Sequence, residues 1–283
     1  MTRMHTALFN LDEWDTCTKA DCEALARDVI LPQEFRFSHV AECALGGQER
    51  YIAFYAAYDS SFALIPGGTA TLGYDRFRAF APTPGQERSW RKTREDWDAP
   101  GLEQYLDQNL TPLRTVVIQP FLLETIARSN GREPLLDTPL DYTGGYTARQ
   151  VTWEEVRVAI AEQGLRLPTS DEWEYACAAG TRTLFRWGDA CPITNCCTPV
   201  YGQWGLAEAP NAFGLDIGTN SYNWEFCADP RIWRGGDGGG TACGGYGCFA
   251  YWITLASSFW FRVLESKDGY FGVHVRRACT LPD

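Results

Sequence analysis

Runs of apolar residues punctuated by turn residues mark the first half of the chain. Residues 51–58 are almost entirely aromatic or apolar, and residues 61–65 form a second apolar run that ends at a Pro-Gly-Gly turn signal. Short apolar runs bounded by such residues are typical of strands. Similar runs at residues 113–118 and 121–126 predict two further strands. The first half of the chain is therefore predicted to be rich in β-structure.

Three segments carry the start signals of helices. Capping boxes, in which a Thr side chain and a Glu three residues later satisfy free amides reciprocally, predict helices that begin at Thr152 with Glu155 and at Thr169 with Glu172. Thr18 is a candidate cap for a third helix, which Pro32 would end. The apolar face of that helix comprises Cys22, Leu25, Ala26 and Val29.

The remaining segments indicate loops and set the expected domain boundaries. Residues 82–112 are polar and are predicted to wrap the surface as a long connection with a short helix near Leu102 to Leu106. After Gly180 the chain is rich in Gly, Cys and aromatic residues, which favours packed loops held by aromatic anchors. We expect residues 1–50 to be an N-terminal extension packed on one main domain, residues 51–283.

Composition and charge narrow the classes of partner. The 283 residues are 45% hydrophobic, enough for a large core, and the net charge of −11 disfavours polyanions. We therefore expect neither nucleic acid nor a membrane as a partner. The N-terminus has no apolar stretch of signal-peptide length, which predicts a cytoplasmic protein. In that compartment the eleven cysteines are expected to be mostly reduced and buried.

Six motifs in a fixed order identify a family resemblance. They lie at residues 62–73, 165–176, 185–189, 211–226, 234–237 and 271–273. Together they resemble the formylglycine-generating enzyme, or sulfatase-modifying factor, family, whereas each motif alone is a weak signal. The resemblance implies a mixed α+β, C-type-lectin-like fold with a small antiparallel sheet, few helices and much irregular loop. It does not by itself fix the function.

The resemblance also points to a pair of cysteines, Cys243 and Cys248, in the segment CGGYGC. In formylglycine-generating enzymes two cysteines at this spacing hold copper(I) and support oxidation of a thiol by dioxygen. Two soft thiolates suit a soft d¹⁰ ion, and the intervening glycines permit a tight bend. The first functional hypothesis is therefore a copper(I)-dependent oxidase with both cysteines as catalytic ligands, acting on a peptidyl cysteine or a small thiol. Asp237 departs from the family pattern, which has Ser there.

An aromatic C-terminal segment supports an alternative function. Rigid aromatic side chains among small polar residues are typical of binding surfaces. C-type-lectin-like proteins diversified by retroelements display their variable loops in this part of the fold, so the alternative is a non-catalytic module that binds a protein or other ligand. About half of the segment's rings are expected to fill the core instead. The candidate ligand-binding residues are Tyr246, Phe249, Tyr251, Trp252 and Trp260.

Two further metals are suggested by the family. Acid-rich loops in it hold structural calcium, which makes Asp216, Asn220 and Asn223 candidate ligands, although capping of turns also explains such residues. A related branch holds iron with three histidines. The chain's three histidines, His5, His39 and His274, are widely spaced and lack helical pairing, so that branch is not favoured.

Overall fold

The computed structural model describes residues 9–78, 80–129, 150–193, 204–263, 269–270 and 272–282. Its strands, in chain order, are β1 (Arg36–Leu45), β2 (Gln48–Ala57), β3 (Ser60–Ile65), β4 (Gly68–Leu72), β5 (Arg114–Ile118), β6 (Phe121–Glu124), β7 (Arg128–Ser129), β8 (Trp224–Phe226), β9 (Ile232–Arg234), β10 (Phe261–Arg262), β11 (Val273–Val275) and β12 (Ala278–Thr280). Its helices are α1 (Leu11–Trp14), α2 (Lys19–Arg27), α3 (Pro84–Trp97), α4 (Leu102–Asn109), α5 (Trp153–Ala161), α6 (Ser170–Ala178), α7 (Gly205–Glu208), α8 (Gly240–Cys243) and α9 (Cys248–Ile253).

Three of the four apolar runs predicted as strands lie in a five-stranded sheet of order β1-β2-β3-β6-β12, as β2, β3 and β6. The run at residues 113–118 forms β5, which lies outside this sheet. All neighbouring strands of the five-stranded sheet are antiparallel. A second sheet has the order β10-β9-β8-β11-β7, in which only β8 and β11 run parallel. Strands β4 and β5 form a separate antiparallel pair. The predicted α+β class with small antiparallel sheets is confirmed.

Two buried arginines between β11 and β12 join the two main sheets. Arg276 donates to both carboxylate oxygens of Glu225 on β8, over 2.9 and 3.0 Å. Its neighbour Arg277 donates to both oxygens of Glu124 on β6. All four side chains are almost fully buried, so each charge depends on its partner for compensation. Because Arg276 also donates to the carbonyl oxygen of Glu124, the link between β11 and β12 ties the second sheet to the first.

The capping signals are confirmed. Thr152 and Thr169 cap α5 and α6, each with the expected glutamate closing the box. Thr18 caps α2 in the same way with Asp21. Local side-chain chemistry fixes these helix starts, which is why they can be predicted from sequence.

The polar stretch 82–112 differs from the prediction of a long loop. The helix expected near Leu102 is present as α4, but residues 84–97 form a further helix, α3. The signals for α3 are in the sequence: Thr83 and Gln86 make a capping box, with Pro84 in the first turn. Gln86, Trp90 and Thr93 recur at helical spacing and are its buried residues. Charged residues occupy the other faces of α3, so the narrow buried stripe is hard to recognise from the sequence alone.

The predicted boundary between residues 50 and 51 falls inside β2. Strand β1 pairs with β2 along its whole length, from Arg36 opposite Ala56 to Leu45 opposite Gln48. Residues 36–50 therefore belong to the same sheet as the strands that follow. Within the described ranges, no helix is both long and apolar enough to cross a membrane.

Candidate ligand-binding cleft

Helix α3 is held rigidly by its buried stripe. The Trp90 ring lies 4.7 Å from the Tyr105 ring of α4 and meets Phe249 of α9 edge-on at 6.5 Å. Trp90, Phe249 and Leu106 belong to one apolar cluster, which lies beneath α3 and α9. This packing fixes the position of α3, and with it the face of the helix that lies next to the buried stripe.

A second stripe of α3 binds the segment that contains the two predicted copper ligands. Ser89, Thr93 and Trp97 follow one another at intervals of four residues, so they share one face of the helix. Each makes one hydrogen bond to the segment: Phe249 N–H to Ser89 Oγ (3.1 Å), Thr93 Oγ1 to the Tyr246 carbonyl (2.6 Å), and Trp97 Nε1 to the Gly245 carbonyl (3.1 Å). The segment is therefore fixed to α3 over about two turns of the helix.

The segment itself begins at a turn organised by Asp237. The carboxylate of Asp237 accepts hydrogen bonds from the backbone amides of Gly239 and Thr241, over 3.0 and 2.7 Å, and from the Thr241 hydroxyl. Gly247 has a φ of +96°, and a Cβ there would lie 2.7 Å from Thr93 Oγ1. Only glycine allows the chain to approach α3 so closely at this position.

A cleft of about 480 Å³ lies beside the contact between α3 and this segment and is lined by both. This volume is within the range of small-molecule and cofactor sites. The α3 wall contributes Arg88, Ser89, Lys92, Thr93 and Asp96. The opposite wall contributes Thr241, Ala242, Tyr246, Cys248 and Tyr251.

The two predicted copper ligands have different surroundings. Cys243 is a free, exposed thiol whose Sγ lies 3.6 Å from the hydroxyl of Tyr222, and it does not line the cleft. Cys248 lines the cleft, is buried and is disulfide-bonded, with its Sγ 3.1 Å from the carbonyl oxygen of Ile193. A disulfide sulfur is not a thiolate, and the thiolate is the form that binds metals. The donor set described here does not fit copper(I).

The predicted aromatic residues divide between surface and core. Tyr246 is 41% exposed, and its ring lies 4.6 Å from that of Trp97, which is 47% exposed. Phe249 and Tyr251 are buried, while Trp252 and Trp260 are half-buried. Of the exposed Tyr246–Trp97 pair, Tyr246 lines the cleft, whereas Trp97 packs against the Tyr246 ring from outside the lining. Trp97 was not among the predicted ligand-binding residues because α3 itself was not predicted.

The candidate calcium ligands lie in a turn-rich segment. Asn220 Oδ1 accepts from the Tyr222 amide over 3.0 Å, an arrangement that caps a turn. Burial raises the pKa of Asp216, while Arg276 and Arg186 act to lower it. Within the described ranges no three His, Cys, Asp or Glu side chains cluster in a way that would hold a metal ion. A calcium site that includes Asn220 and Asn223 stays a prediction.

The histidines that the structure describes lie in different sheets. His39 is on β1 and stacks on Phe54 at 4.9 Å, whereas His274 is on β11 in the second sheet. His5 lies outside the described residues.

The chain is similar to a curated protein and to a solved structure. Over 106 residues it is 34% identical to hercynine oxygenase of Mycolicibacterium smegmatis, a match that covers 32% of this chain and 24% of that protein. Among solved structures it is similar to Treponema denticola variable protein 1, with 15% sequence identity and a TM-score of 0.43, covering 80% of this chain and 98% of the other.

The sulfatase-modifying factor enzyme 1-like domain matches residues 59–209, just over half of the chain. The matched region includes α3, α6 and two of the five strands of the first sheet, β3 and β6. It ends before the segment with Cys243 and Cys248. On this match, the chain belongs to the sulfatase-modifying factor enzyme 1-like family.

Proposed function

We propose that this chain is a ligand-binding member of its family and that its ligand occupies the cleft between α3 and residues 240–251. The observation that carries the proposal is the state of the cysteine pair. Cys248, the cysteine at the cleft, is disulfide-bonded, and the free thiol of Cys243 contacts Tyr222 instead of the cleft. This state of the two cysteines supports contact with a ligand over joint coordination of a soft ion.

The rigidity of the cleft supports binding. Three hydrogen bonds hold residues 245–249 to α3, and an apolar cluster lies beneath α3 and α9. A preformed site loses less conformational entropy when its ligand arrives. Tyr246 adds exposed aromatic surface to the cleft at low entropy cost, as aromatic residues of binding loops do. The partner class that follows is a protein or peptide ligand.

Family membership favours a second candidate, the copper(I)-dependent oxidase acting on a peptidyl cysteine or small thiol. Its two ligands occur at the expected spacing, next to a cleft able to admit a substrate. That function requires Cys248 as a thiolate, which its disulfide prevents. We therefore place it second.

Filling the cleft tests the proposal. Wild-type protein is used to select binders from a displayed library of random peptides, and the enriched peptides are measured on Ala242→Trp, which places an indole in the cleft. We expect a loss of affinity of at least about tenfold, because a handful of central contacts carries most binding energy. Ala228→Trp, at an exposed position outside the cleft, is the matched control and should bind like wild type.

If Ala242→Trp and wild type bind the enriched peptides equally, the ligand does not use this cleft. A selection that enriches no peptide would also count against the proposal.

A further inference from the structure

One stripe of α3 carries three charged side chains into the cleft. Arg88, Lys92 and Asp96 are spaced by four residues and all line it. Because an α-helix rises 1.5 Å per residue, successive members are about 6 Å apart along the axis and the outer two are about 12 Å apart. None of the three makes an ion pair or hydrogen bond within the described ranges. Their charges are therefore available to a ligand.

The order of charges gives the cleft a direction. Two cations lie toward the start of α3 and one anion lies toward its end. An arginine guanidinium binds a carboxylate through two parallel hydrogen bonds, and an adjacent ammonium group adds a further donor. The carboxylate of Asp96 accepts hydrogen bonds and pairs with a cation. A complementary ligand has a negative group at one end and a positive group about 12 Å away.

This separation matches a peptide. An extended chain advances about 3.3–3.6 Å per residue, so about 12 Å corresponds to three or four residues. The protein as a whole carries a net charge of −11, which repels acidic ligands elsewhere on its surface. Arg88 and Lys92 make one end of the cleft cationic, so an acidic ligand is attracted there.

We propose that the cleft binds an extended peptide segment with an acidic residue at Arg88, which the Lys92 ammonium group assists, and a basic residue three or four positions away at Asp96. This inference rests on the proposed function and specifies its ligand. Tyr246, on the opposite wall, contacts the residues between the two charges. Specificity arises from the charge order, since a segment with the reverse order places like charges together.

The peptides enriched by wild type in the display selection provide the test. Each is resynthesised with a fluorophore, and its dissociation constant is measured by anisotropy together with that of a form in which the acidic residue is replaced by its amide. The protein variants are Arg88→Glu/Lys92→Glu and, as the matched control, Arg91→Glu/Arg94→Glu. The control changes the net charge of α3 equally but at positions outside the cleft.

We expect the enriched peptides to share an acidic and a basic residue three or four positions apart. The amide form and the Arg88→Glu/Lys92→Glu protein should each bind at least about tenfold more weakly, and the control double variant should change affinity by less than about threefold, because only charges that contact the ligand affect its dissociation strongly. Enriched peptides without acidic residues, or equal losses in both double variants, would overturn the charge assignment. If Ala242→Trp still abolished binding in that case, the cleft would stand as the site and only the ligand chemistry would be wrong.

Discussion

Glu174→Ala is expected to lower the free energy of unfolding by about 3–5 kcal/mol, the cost of removing one partner of a buried ion pair and leaving the other charge uncompensated. Glu174 lies on α6 and is 1% exposed. One carboxylate oxygen accepts from the Gly73 amide over 2.6 Å, and the other accepts from Arg114 and Arg234 over 2.9 and 2.8 Å. The Arg234 side chain is fully buried, so the variant leaves it without its carboxylate. Urea unfolding followed by tryptophan fluorescence measures the loss.

Asp171→Ala is the matched control for this prediction. Asp171 is on the same helix and pairs with the same Arg114, but its side chain is 41% exposed. An ion pair of this kind contributes less than about 1 kcal/mol. If the two variants were equally stable, the buried network around Glu174 would not hold α6 against β4 and β9.

Gly236→Ala is expected to destabilise the protein by more than the 1–3 kcal/mol or so that a strained backbone conformation costs alone. Gly236 has a φ of +154°, and a Cβ there would collide with the backbone carbonyl oxygens of Ser221 and Asn223. Backbone atoms cannot move aside as a flexible side chain does. Because Asp237 follows directly and organises the start of α8, the variant should also weaken binding in the cleft. Thermal unfolding and peptide affinity measure the two effects.

Gly47→Ala separates strain from collision. Gly47 also has a positive φ, +77°, but a Cβ there has no atom within 4 Å. Gly47→Ala should lower the free energy of unfolding by only about 1–2 kcal/mol, the cost of a left-handed conformation for a residue with a Cβ. It should leave peptide affinity unchanged. A Gly236→Ala protein as stable as Gly47→Ala would contradict the close approach of Gly236 to residues 221–223.

Much of the fold could be predicted because its signals are local. Thr152 and Thr169 each satisfy amides within their own first turn, and the runs at residues 51–58 and 61–65 are apolar enough to specify buried strands. The pairing order β3-β6-β12 could not be predicted in this way. It depends on buried pairs such as Arg277 with Glu124, which are remote in sequence.

The candidate site was predicted in part. The position of Cys248 and Tyr246 at a cleft follows the resemblance, but the other wall is α3, whose narrow buried stripe is hidden among charged residues. The separation of Cys243 from Cys248 could not be predicted from their spacing, because it depends on contacts with Tyr222 and Ile193 from other parts of the chain. Spacing fixes how far apart two sulfurs can lie, not which way each side chain points.

Copper(I) titration tests most directly whether the cysteine segment is the wall of a binding cleft or a metal centre. Protein purified without thiol reductants is titrated anaerobically against a competing chromogenic chelator, as wild type, Cys243→Ser and Cys248→Ser. The account predicts superimposable curves for the three proteins, because the disulfide at Cys248 prevents Cys243 and Cys248 from sharing an ion as two thiolates. One equivalent of copper(I) bound by wild type and lost in both variants would contradict it.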